Sequence, residues 1–160
     1  MAILDASSRN LQKLIEQLLD YNRKLADGAV VLESVEIEPL VDMVISAHSL
    51  PARAKMMHTQ VELNAPACLA EPMLLMSVLD NLYSNDVHYG TESGTIYIRS
   101  NNNGSRVFID VANTGSPIPD DEKTMIFEPF FQWSHQRKGA VKGSGLGLSI
   151  ARDCIRRMQG

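Results

Sequence analysis

Three alternate glycines, Gly143, Gly145 and Gly147, run directly into an apolar-periodic segment at residues 146–158, and no other stretch constrains the chain as much. A flexible loop feeding a helix start leaves main-chain N–H groups unpaired at the positive end of the helix dipole, and glycine lets a ligand come close to the backbone. Lys142 adds a positive charge beside them. Two readings stand: a phosphate cradle, or a glycine-rich turn in front of a surface helix. The spacing is neither the Gly-Lys-Ser/Thr order of a P-loop nor the G-x-G-x-x-G dinucleotide pattern, so a nucleotide bound here is held in some third way.

A chain of 160 residues, 44% hydrophobic and 21% charged, has room for one core domain with an appendage and is not of disordered composition. Its formal net charge of −4 argues against a general nucleic-acid binder, although Arg137, Lys138 and Lys142 cluster, as do Arg152, Arg156 and Arg157. Cys68 and Cys154 are too few and too isolated for a disulfide framework or a zinc site, which fits a reducing, cytoplasmic setting. No apolar run approaches the ~20 residues needed to span a bilayer, so membrane contact is not expected of this chain.

Leu11, Leu14, Ile15, Leu18 and Leu25 recur at helical spacing over residues 7–26, and Gly28 closes the segment. The narrow seam predicts an amphipathic helix packed against the following domain or against another chain, and its near-heptad spacing favours another chain. A strand is expected over residues 30–35, then a helix with Pro39 at its first position and Leu40, Val41, Val44, Ile45 and Ala47 facing a core, ended or kinked at Pro51. Alternation predicts strands at 59–63 and 67–70.

Over residues 72–89 Leu75, Leu79 and Leu82 line one helical face, with Asn81, Asn85 and His88 about 100° round and Tyr89 one turn after Asn85. The two amides offer neutral oxygen ligands to a hard cation such as Mg²⁺, or hydrogen bonds to phosphate; the alternative is a solvated polar face. Asp86 falls on the leucine stripe, so either the stripe ends at Leu82 or Asp86 borders a ligand site. Strands at 95–99 and 107–111 are joined by Asn101-Asn-Asn-Gly104, a hairpin signal, and Asn113-Thr-Gly-Ser-Pro breaks the second strand. A short helix is expected at 120–127 and a compact aromatic anchor at 127–131. The polar, basic run that follows predicts a mobile loop, and its position between the anchor and the glycines is the layout of a lid.

Asn81-Leu-Tyr-Ser-Asn85, Asn113-Thr-Gly115, the aromatic cluster at 127–131 and Gly143-Ser-Gly-Leu-Gly147 follow one another in the order and approximate spacing of the N, G1, F and G2 boxes of sensor histidine kinases. Residues 29–160 resemble that family's catalytic ATP-binding domain, and residues 1–28 resemble part of the second helix of its dimerisation hairpin. The resemblance implies an α/β two-layer sandwich of the Bergerat type, with ATP between helices and a mixed sheet under a lid. It implies that Asn85, assisted by Asn81, ligates Mg²⁺, that His88 stands where a phosphate-contacting basic residue is usual, and that Tyr89 lies near the nucleotide. Asn113 would accept from the adenine amino group, and Gly115 would let the base approach the backbone. Arg137, Lys138 and Lys142 would close over the phosphates, and Gly143, Gly145, Leu146 and Gly147 would offer them N–H groups. The implied partners are a second copy through the N-terminal helix and a response regulator; the implied parent is an inner-membrane sensor with this portion in the cytoplasm. Asn81 stands where ATP-hydrolysing relatives such as gyrase and the Hsp90 chaperones carry a water-activating Glu, so kinase chemistry is expected over hydrolysis.

The chain departs from the pattern at several points. None of His48, His58, His88 and His135 lies in a His-Glu-x-x-Thr-Pro setting, so the phosphoacceptor is expected elsewhere. Asp86 replaces a small residue and is expected to weaken ATP binding relative to an Asp86→Ala form; a non-catalytic interaction module with the kinase fold is the rival reading. Asn113 replaces an Asp, keeping an oxygen acceptor without its charge. Trp133 replaces a small residue in the lid. The family adds two further strands after the last helix, and without them an open sheet edge, marginal stability or edge association is expected.

Overall fold

In the computed structural model, which describes residues 30–132 and 143–160, the elements run β1 (Glu33–Glu36), α1 (Ile37–Ala47), α2 (Ser49–Ala54), β2 (His58–Leu63), β3 (Ala67–Ala70), α3 (Pro72–Tyr89), β4 (Thr95–Asn102), β5 (Val107–Asn113), a 3₁₀ turn (Met125–Phe127) and α4 (Gly147–Arg157). β1 pairs antiparallel with β3, and a mixed sheet of order β2-β4-β5 has β4 parallel to β2 and antiparallel to β5.

The period of two along β4 turns Ile96, Ile98 and Ser100 inward, at 0%, 2% and 0% exposure. Their cross-strand partners on β5 are Asn113, Val111 and Ile109. Across this face lies α3, whose Leu75, Val78, Leu79, Tyr83 and Val87 are buried. α1 joins the same core through Ile37, Val41 and Val44, and α4 through Ile150, Ala151 and Cys154. The outcome is helices on one face of a mixed sheet, the two-layer α/β arrangement expected from the sequence.

Both ends of α3 are fixed. Pro72 occupies its first turn, where no N–H partner is needed, and the Glu71 carboxylate accepts from Leu74 N–H at 2.6 Å. At the other end Lys55 Nζ donates to the carbonyls of Val87 (2.7 Å) and His88 (2.6 Å), placing a cation at the negative end of the dipole. In between, the Tyr83 hydroxyl bonds Thr59 Oγ1 at 2.7 Å, and His48 Nε2 reaches Asp80 at 2.7 Å.

Several expectations need correction. The strand expected at 30–35 begins at Glu33, and the next helix starts at Ile37, so Pro39 is third rather than first in it. The Ile37 N–H that this leaves unpaired within the helix donates to Pro66 O at 2.9 Å. The chain breaks at His48, not at Pro51, which sits in the first turn of α2 and interrupts nothing. Over 120–127 only the 3₁₀ turn forms; none of its residues is buried, so no packing holds a longer helix. On α3 the apolar stripe passes through Tyr83 rather than Leu82, which is only half-buried. The expected helix at 7–26 and the expected loop with Trp133, Arg137, Lys138 and Lys142 lie outside the described residues. Among the described residues no helix is long and apolar enough to cross a membrane.

Lys55→Met keeps the apolar stem and removes the donors that close α3. It should lower unfolding stability by about 1–2 kcal/mol, read as a lower urea midpoint at unchanged slope.

Candidate functional site

Helix α3 carries the site along one side. Near its middle the approach of α4 is so close that a Cβ at Gly147 would lie 3.0 Å from Asn81 Oδ1. The Asn81 amide nitrogen donates back to Ser77 O at 2.7 Å, which leaves its oxygen on the Gly147 side. One turn on, Asn85 is half-buried and makes no side-chain hydrogen bond among the described residues. His88 and Tyr89 end the helix with their rings edge to face, centroids 4.6 Å apart. From Asn81 to Tyr89 the helix rises about 12 Å.

The glycine run is tied down at its base. Gly145 has φ +72° and admits no side chain, because a Cβ there would lie 2.7 Å from the Phe130 carbonyl carbon. Phe130 N–H donates to Gly145 O at 2.8 Å, and the Gln132 amide donates to Gly143 O at 2.7 Å. Arg152 of α4 reaches Glu128 at 3.3 Å. The expected aromatic anchor is therefore mainly a backbone one: Phe130 is 60% exposed. Leu146 is the N-cap of α4 and provides no side-chain cap hydrogen bond; its own N–H donates to Ser144 Oγ at 3.3 Å, and among the described residues the first-turn N–H groups that follow remain available to an anion.

At the far end stands a pair that the sequence reading did not connect. Asn113 is the last inward residue of β5, opposite Ile96, and Asp86 sits on α3 between the buried Tyr83 and Val87. Asn113 Nδ2 donates to Asp86 Oδ1 at 2.7 Å. Asp86 Oδ2 is buried with no partner among the described residues. Burial pushes the Asp86 carboxyl up to about 6, and the bond from Asn113 offsets only part of that rise. Gly115 lies on the other side of the amide, where a Cβ would come within 2.6 Å of Asn113 Oδ1. Helical parity and strand parity together were the signal that could have found this contact. The expected sites Arg137, Lys138 and Lys142 lie outside the described residues; Asn81, Asn85, His88, Tyr89, Asn113, Gly115, Gly143, Gly145, Leu146 and Gly147 are placed along α3, α4 and the end of β5.

The architecture is that of histidine kinase catalytic domains. The catalytic domain of ThkA, in a nucleotide-free form, matches with a TM-score of 0.67 at 29% identity, covering 78% of this chain and 80% of that one. Full-length ShkA in complex with AMPPNP matches with a TM-score of 0.81 at 28% identity, covering 99% of this chain and 33% of that one. The family model of histidine kinase-, DNA gyrase B- and HSP90-like ATPases matches residues 70–160, and the chain belongs to this family. Sensor histidine kinase GlrK of Escherichia coli K12 is 79% identical over 160 residues, 100% of this chain and 34% of that protein. The chain thus spans about a third of the length of that curated relative.

The raised Asp86 carboxyl sets a pH dependence. The folded state binds this proton more tightly than the unfolded chain, whose Asp titrates near its ordinary value of about 4. The group therefore subtracts stability as pH rises from about 4 through about 6, and subtracts nothing below both values. Asp86→Asn should be the more stable form by about 1–2 kcal/mol above pH ~6, with the difference vanishing near pH ~4, as read by urea unfolding at several pH values.

Proposed function

We propose that this chain is the ATP-binding catalytic domain of a two-component sensor histidine kinase, which transfers the γ-phosphoryl group of Mg²⁺-ATP to a histidine not present in this chain. The observation that carries the reading is the single line along α3: Asn81 against the bare Gly147, then the unengaged Asn85 amide, then the Asp86–Asn113 pair beside the bare Gly115. The names of the relatives agree, since GlrK is called a sensor histidine kinase and ShkA was solved with an ATP analogue.

The donor set suits a magnesium nucleotide. Among the described residues no group of three His, Cys, Asp or Glu could hold a metal ion, so Asn85 and Asn81 would act as neutral oxygen ligands that leave the phosphates to supply the charge. The uncapped first turn of α4, with Gly143, Gly145, Leu146 and Gly147, would direct N–H groups at the phosphates, and Arg137, Lys138, Lys142 and His88 would add positive charge. Asn113 would accept from the adenine amino group, Gly115 would let the base lie against the backbone, and Tyr89 would flank it. Bound Mg²⁺ supplies charge neutralisation, and the side chains hold the phosphoryl group in line for an acceptor. Asn81 is no general base, which favours transfer over hydrolysis.

The leucine seam over residues 11–25 supports a second copy as partner and residues 1–28 as part of a dimerisation hairpin; a response regulator would then be the phosphoryl recipient. The parent would be an inner-membrane sensor with these residues in the cytoplasm.

Calorimetric titration with AMPPNP, with and without Mg²⁺, tests the reading. Saturable Mg²⁺-dependent binding is expected, with Asn85→Ala weakening it at least about tenfold in Mg²⁺ and much less without the metal. Absence of binding by a chain shown to be folded by circular dichroism would favour the interaction module instead.

A further inference from the structure

The Asn113 side chain has one donor end and one acceptor end, and the groups around it decide which faces Gly115. An ionised carboxylate can only accept, so the Asp86 contact at 2.7 Å holds the Asn113 NH₂ group on the α3 side. The carbonyl oxygen is thereby left on the opposite side, next to the Cα of Gly115, where a Cβ would come within 2.6 Å of it. Reversing the amide would set two oxygens against each other in a half-buried place, beside a second carboxylate oxygen that already has no partner among the described residues.

We propose that Asp86 is a positioning residue for base specificity: by accepting from the Asn113 amide it holds the Asn113 oxygen at the bare Gly115, where the base would lie, and commits the site to a purine with an amino group at C6. This rests on the nucleotide-binding reading above and deepens it. Adenine presents a donor at C6 and meets the fixed oxygen. Guanine presents an oxygen at the same place and leaves two acceptors facing each other. Asn113 alone, free to turn over, would accept either base. The carboxylate next door removes that freedom without touching the base.

The test is titration of the full chain with AMPPNP and with its guanine counterpart at about pH 8, for three proteins: the unaltered chain, Asp86→Asn, and Asp86→Asn combined with Asn113→Asp. The unaltered chain should prefer the adenine nucleotide by about 30-fold. In Asp86→Asn the two amides can pair in either sense, and the preference should fall to about threefold or less. The double variant keeps the pair with the carboxylate on β5, presents a fixed acceptor again, and should recover the preference. A purely structural role for Asp86 would move both affinities together and leave their ratio unchanged. An unchanged ratio in Asp86→Asn, or no preference in the unaltered chain, overturns the inference while leaving nucleotide binding intact. Failure of the unaltered chain to bind either nucleotide overturns the inference and the reading beneath it.

Discussion

Helix α3 must be dry on one side and polar on the adjoining side, and the rest of the domain follows from that requirement. Its dry side is matched by the inward row of β4, where Ile96, Ile98 and Ser100 are almost wholly buried. A side chain such as Ile or Leu gains about 1.5–3 kcal/mol from full burial, so the position of α3 is set by a series of such contacts rather than by any polar bond. Once the helix is seated, its rotation about its own axis is no longer free. Asn81 then lies against Gly147 at the start of α4, with Asn85 one turn further along the helix.

Much of this was readable from periodicity. The two Asn on a common face, the hairpin of β4 and β5 and the glycine run before α4 were each visible, because each rests on local spacing or turn chemistry. What periodicity did not show was which side chain meets which across the sheet. Tyr83 is 1% exposed and forms the centre of the core, yet the leucines drew the stripe one position away from it. Nothing in the local pattern marks Lys55 or His48, and only the folded chain brings them to the end and the flank of α3. The segment at 120–127 shows the opposite failure. Its composition favoured a helix, but no core waits beneath it, and local preference alone holds only a single turn.

The Asp86–Asn113 pair illustrates how a fold accommodates polar groups at the margin of a core. Asn113 ends an inward row of apolar residues on β5, and Asp86 lies between the buried Tyr83 and Val87 on α3, so each is drawn inward by its neighbours. Alone, either would be a desolvated polar group; together they satisfy one another at 2.7 Å. The carboxyl is nonetheless left with a raised affinity for protons, so the contact is a compromise that packing imposes and hydrogen bonding moderates.

The bonds from Phe130 to Gly145 and from Gln132 to Gly143 act as a clasp, joining chain positions more than ten residues apart before anything between them is specified. Closing a loop costs an entropy that grows only with the logarithm of its length, about 0.6 kcal/mol for each doubling. The clasp therefore holds the start of α4 beside residues 130–132 at a cost that hardly depends on how many residues separate them.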